Sequence, residues 1–123
     1  MRFPHHRLDA YHAAARFLVL ADRIASALPR GRAYLVDQLR RASLSIQANI
    51  AEGAGEFSPA DKARFYRMAL RSASECASLL GGCRDLKLSD EKAVTDAEEV
   101  LDRVIAMTTR LVRRFELGGA RSG

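Results

Sequence analysis

Proline and glycine interrupt the chain in only a few places, and that scarcity limits what it can fold into. Pro29-Arg30-Gly31, Gly53-Ala54-Gly55 with Pro59, Gly81-Gly82 and Gly118-Gly119 leave four segments, each of about 20 to 28 residues with apolar side chains at spacings of three and four. No segment alternates with period two, the pattern of a half-buried strand. The spacing predicts helices over Leu8 to Leu28, Ala33 to Gly53, Pro59 to about Cys83 and Ser89 to Leu117. Connections of about three to six residues make successive helices antiparallel neighbours. The expected fold is therefore all-α, an up-down-up-down four-helix bundle over residues 1–117, with a disordered tail over 118–123.

The segment ends carry helix signals too. Ser58 before Pro59, with Asp61 behind, reads as an N-cap, and Ser89 before Asp90 and Glu91 as another. The last segment is acidic early and basic late (Arg103, Arg110, Arg113, Arg114), as a helix dipole favours. The stripes expected to face the core are Leu8, Tyr11, Ala15, Leu18, Ala21, Ala25 and Leu28, then Leu35, Leu39, Ala42, Ile46, Ile50 and Gly53. The third helix offers Phe65, Ala69, Ser72, Cys76, Leu79 and Cys83, and the fourth Val94, Ala97, Leu101, Val104, Thr108, Leu111 and Phe115. Phe17, Val19, Leu20 and Ile24 lie beside or opposite the first stripe. Apolar surface in excess of one core suggests an interface between copies of the chain, so these four are the expected oligomer contacts.

Several kinds of chemistry are disfavoured. A carboxylate-bridged di-iron centre needs Glu-x-x-His pairs, and none of His5, His6 and His12 follows a glutamate at that spacing. The chain has no Gly-rich phosphate loop and no Cys-x-x-Cys pair. A Ser or Cys nucleophile would also lack a downstream histidine as base. Cys76 and Cys83 are seven apart on one helix, ~10 Å along its axis, too far for a disulfide. Buried free thiols in a reducing compartment are expected, with no metal and no cofactor. No apolar run approaches the ~18 residues of a membrane span, and Met1 to Arg7 has no apolar region of an export signal. The expectation is a cytoplasmic, non-enzymatic protein.

The net charge is +5, and of 20 basic residues all but Lys62, Lys87 and Lys92 are Arg. The planar guanidinium fork suits phosphate, so RNA or DNA is a candidate partner. Arg64, Arg67 and Arg71 recur at three and four on the third helix, and Lys62, Arg40 and Arg41 extend that surface if the second and third helices are adjacent. These six are the expected phosphate contacts; a solvated charged face is the plainer reading. Asn49 and Glu52 lie in a stretch dense in Ala, Ser and Gly, where close packing would oblige them to find polar partners.

The run from Gln38 to Gly53 resembles the form Q-L-R-R-A-x-x-S-I-x-x-N-I-A-E-G, and Arg64, Phe65, Ala69, Ser72 and Glu75 fit R-F-x-x-x-A-x-x-S-x-x-E. Together these resemble the signature of the four-helix-bundle proteins named for the 23S ribosomal RNA intervening sequence. The resemblance implies a polar network of Asn49, Glu52, Ser72 and Glu75, and a homopentameric ring. A related branch, the accessory variability protein of diversity-generating retroelements, partners a reverse transcriptase and binds nucleic acid, which implies an RNA or nucleoprotein partner here. Gln47 stands where many relatives have Pro, and Glu56 where a basic residue is common. The expected function is a non-catalytic RNA-binding oligomer; the rival is a protein-interaction scaffold whose charge serves only solubility.

Overall fold

The structure, a computed structural model, describes residues 3–122, with side chains through residue 117. A short 3-10 helix, Pro4–Arg7, leads into α1 (Asp9–Ala27), α2 (Ala33–Gly55), α3 (Pro59–Asp85) and α4 (Glu91–Ser122). The described residues are all-α, with four α-helices and no strand. Each helix packs on two others: α1 on α2 and α4, α3 on α2 and α4. No helix among the described residues is long and apolar enough to cross a membrane.

Local chemistry explains the boundaries. Ser58 Oγ accepts the Asp61 amide at 3.0 Å, with Pro59 at the first helical position. Asp90, and not Ser89, caps α4, its carboxylate accepting the Ala93 amide at 3.1 Å. Gly81 and Gly82 lie within α3, because a glycine weakens a helix interior by only about 1 kcal/mol and need not end it. The stop comes at Lys87, whose φ of 55° lies in the left-handed region, with the Leu88 amide turned back to the Cys83 carbonyl at 2.9 Å. For the same reason α4 runs through Gly118 and Gly119 to Ser122, so the backbone over 118–122, where the sequence predicts a disordered tail, is helical, and Gly123 lies outside the described residues.

The whole expected face of α2 is buried, from Leu35 to Gly53. The face of α1 differs in part: Ala21 and Ala25 are buried as the spacing predicts, but Ala10, Ala13, Ala14, Phe17 and Ile24 make up the rest of it. Phe17 and Ile24, expected at an oligomer interface, are instead 0% and 4% exposed in the core. Enclosing two bulky side chains yields ~1.5–3 kcal/mol each, and the flanking alanines let the neighbouring helices close around them. On α3, Tyr66 takes the core place expected of Phe65, which lies half-buried under the Arg64 guanidinium at 4.5 Å. Tyr66 fits because Gly53 on α2 has no Cβ to obstruct it. On α4, Val94, Ala97, Leu101, Val104 and Thr108 face inward as the spacing predicts. Cys76 and Cys83 are buried free thiols.

Candidate nucleic-acid interface

The six expected phosphate contacts do not form one open stripe. Arg40 bonds Asp22 and Ser26 of α1, both at 3.0 Å, and Arg41 bonds Gln38 at 2.7 Å and Glu75 of α3. Arg67 reaches Glu116 of α4 at 2.5 Å. Arg64 lies 3.8 Å from Asp61. Exposed pairs like these contribute ~0–1 kcal/mol, so the arginines can exchange a carboxylate for a phosphate, but their charge is partly cancelled where they sit. Lys62 donates to the carbonyls of Gly53 and Ala54 at 3.2 and 3.0 Å, closing the C-terminus of α2. Arg71 is exposed and has no ion pair among the described residues.

The polar motif residues divide into separate sets. Asn49 Nδ2 donates to the carbonyl and hydroxyl of Ser45 at 2.9 and 3.1 Å, and Ser45 Oγ lies 2.8 Å from Ser72 Oγ on α3. This half-buried chain ties α2 to α3, and Ser45 is the member sequence reasoning missed. Glu75 pairs with Arg41 instead, while Glu52 is exposed and makes no hydrogen bond among the described residues. Of the expected oligomer contacts, Val19 is 49% exposed and Leu20 is half-buried against the core.

A second basic cluster lies apart from most of the six expected contacts, sharing only Lys62 with them. The 3-10 helix with Leu8, the end of α2, the start of α3 and the later turns of α4 meet around an open cleft of about 470 Å³, lined by Arg7, Lys62, Tyr66, Leu111, Arg114 and Phe115 among others. A smaller neighbouring cleft shares Arg7 and Arg114 and adds Arg110 and Asp9. The Phe115 ring carries Lys62 Nζ 5.5 Å and the Arg114 guanidinium 5.1 Å from its centre, and leans on Tyr66 at 5.9 Å. Burial pushes the Tyr66 hydroxyl above its ordinary pKa, with the Arg114 charge opposing. Arg7, Arg110 and Arg114 have no ion pair among the described residues. The sequence signal was the run of Arg late in α4, which the helix dipole explains well enough to hide it. Among the described residues no group of His, Cys, Asp and Glu is arranged to hold a metal ion; near the start of α1, His6 stacks on His12 and meets His5 edge to face.

Fold and surface together define a small four-helix protein that concentrates unneutralised arginine near one set of helix ends. The family model for the 23S rRNA-intervening sequence protein matches residues 6–110, and the chain belongs to that family. No curated protein matches it.

Proposed function

We propose that the chain is a non-catalytic, self-associating bundle, antiparallel and up-down-up-down, that binds structured RNA through arginine-phosphate contacts. The topology is supported by the order of the cross-helix pairs. Along α2, residues 41, 45 and 53 meet Glu75, Ser72 and Tyr66 in turn, and along α3, Arg67 meets Glu116 while Arg84 meets Glu98. Each pair of series runs in opposite senses.

The observation that carries the RNA reading is the arginine face of α4. Arg103, Arg110 and Arg114 recur at seven and four, are exposed, and have no ion pair among the described residues. Arg7 extends the face across the clefts, and Arg71 adds an open charge on α3. Such a surface binds phosphate with little regard for sequence and with steep salt dependence. The family name, which refers to an intervening sequence of 23S rRNA, favours RNA over other polyanions.

Self-association is supported by apolar side chains left in water. Phe57, between α2 and α3, is 99% exposed, and Leu44 is 54% exposed across a groove from Val19. A second copy would cover them, and the family resemblance sets the expected number at five. Light scattering on the purified chain tests this: a mass several times 13.6 kDa supports it, and a 13.6 kDa monomer contradicts it. The same exposed Phe57 would suit a protein scaffold, the second reading. RNA titrations across a salt series separate the two, because a scaffold has no RNA affinity near physiological salt.

A further inference from the structure

The cleft between the 3-10 helix and α2, α3 and α4 has features that a general polyanion surface does not need. Arg7 and Arg114 reach it from opposite ends of the chain, and neither is neutralised by a carboxylate among the described residues. Lys62 adds a third charge, held in place by two carbonyls and the Phe115 ring. Of the acids nearby, Glu116 is taken by Arg67, and Asp9 lines only the neighbouring cleft. Tyr66 is 1% exposed and lines the cleft with these three cations, and its hydroxyl, which makes no hydrogen bond to another of the described residues, is free to donate there. The rest of the wall is apolar, from Leu8, Leu111 and Phe115.

From this we infer that the cleft is a site for a phosphomonoester carried on a small organic group, either the 5′ end of a nucleic-acid strand or a free nucleotide. The inference rests on the reading that the protein binds nucleic acid, and names one discrete position within it. Two guanidinium forks, an ammonium and a phenol supply donors for a dianionic phosphate, and the apolar wall receives the sugar or base. The volume, about 470 Å³, falls in the ~300–1,000 Å³ of small-molecule sites.

The test is calorimetric titration of the full chain with adenosine 5′-monophosphate, adenosine, a 5′-phosphorylated RNA trinucleotide and its 5′-hydroxyl form. Both phosphorylated ligands should bind, with adenosine and the 5′-hydroxyl form weaker by tenfold or more. A trinucleotide tighter than the mononucleotide assigns the site to strand ends, and equal affinity assigns it to free nucleotides. Each of Arg7→Gln and Arg114→Gln should weaken binding about tenfold, the loss of one charge-assisted contact. Tyr66→Phe, which keeps the ring against Gly53, should cost about fivefold, and Arg30→Gln, in the α1–α2 connection, nothing. Equal affinity for phosphorylated and unphosphorylated ligands, or indifference to Arg7→Gln and Arg114→Gln in variants that melt normally, overturns the site. Long structured RNA is titrated in parallel: its binding without any mononucleotide binding overturns the cleft alone, and the reverse overturns the RNA reading alone.

Discussion

A Cβ placed on Gly53 would lie 2.6 Å from Cε1 of Tyr66, closer than real Cβ contacts come. The glycine that ends the Asn-Ile-Ala-Glu-Gly run of α2 is there to admit a buried ring from α3. Its helical backbone does not call for glycine; the neighbour does. Gly53→Ala should therefore destabilise the protein by ~1–3 kcal/mol, as overpacking of a closed site does. Urea unfolding measures it, and in a Tyr66→Leu background the same change should cost clearly less.

The opposite outcome is expected on α3. Gly81 and Gly82 are helical, and a Cβ on either would meet nothing within 4 Å. Gly81→Ala and Gly82→Ala should each stabilise by ~0.5–1 kcal/mol by restricting the unfolded chain and favouring the helix. A lowered melting temperature in either variant would contradict this placement of the helix end.

Arg84 of α3 grips Glu98 of α4 through two contacts, at 2.8 and 2.5 Å, and also reaches Glu91. The hydrogen bonds from Arg84 hold the Glu98 carboxyl below its ordinary value, against a smaller opposing effect of burial. A depressed folded-state pKa means stability present above the unfolded value, about 4.5, and lost as pH falls through the folded one. Glu98→Gln should thus be less stable than the parent at pH 7, with the gap closing as pH falls below 4.5, a trend read from urea midpoints.

Burial pushes the Cys76 thiol up to about 12, reinforced by Glu75 and only partly offset by Arg41, and burial raises Cys83 as well. Neither thiol should react with a disulfide reagent at pH 8 in the native protein, and both should react in denaturant. Because the folded value is raised, Cys76 withdraws stability only as pH climbs above its ordinary value of 9.

Much of this was legible in the order of residues, for reasons that can be named. Leu35 through Gly53 form one stripe with few large apolar side chains beside it, so its burial followed from spacing. On α1 and α3 the apolar residues crowd two faces, and alanine adds little contrast between them. Phe17 and Ile24 could then be taken for surface, and Phe65 for core in place of Tyr66. The basic residues were visible, but not which carboxylate each meets across a helix seam: Arg40 with Asp22 and Arg41 with Glu75 are products of packing. Arg7 and Arg114 belong to opposite ends of the chain, and only the closed ring of helices brings them to one cleft.

The most direct test of RNA binding through open arginines is fluorescence anisotropy with a labelled structured RNA, a duplex DNA and a polyanion control, from ~50 to ~200 mM salt. The account predicts RNA binding that exceeds the control near 150 mM salt and falls steeply as salt rises. In Arg103→Gln/Arg110→Gln the log-log slope should shrink by about two, one unit for each phosphate contact removed. Equal weak binding to all three ligands, or an unchanged slope in the double variant, would contradict it and leave the protein-scaffold reading in its place.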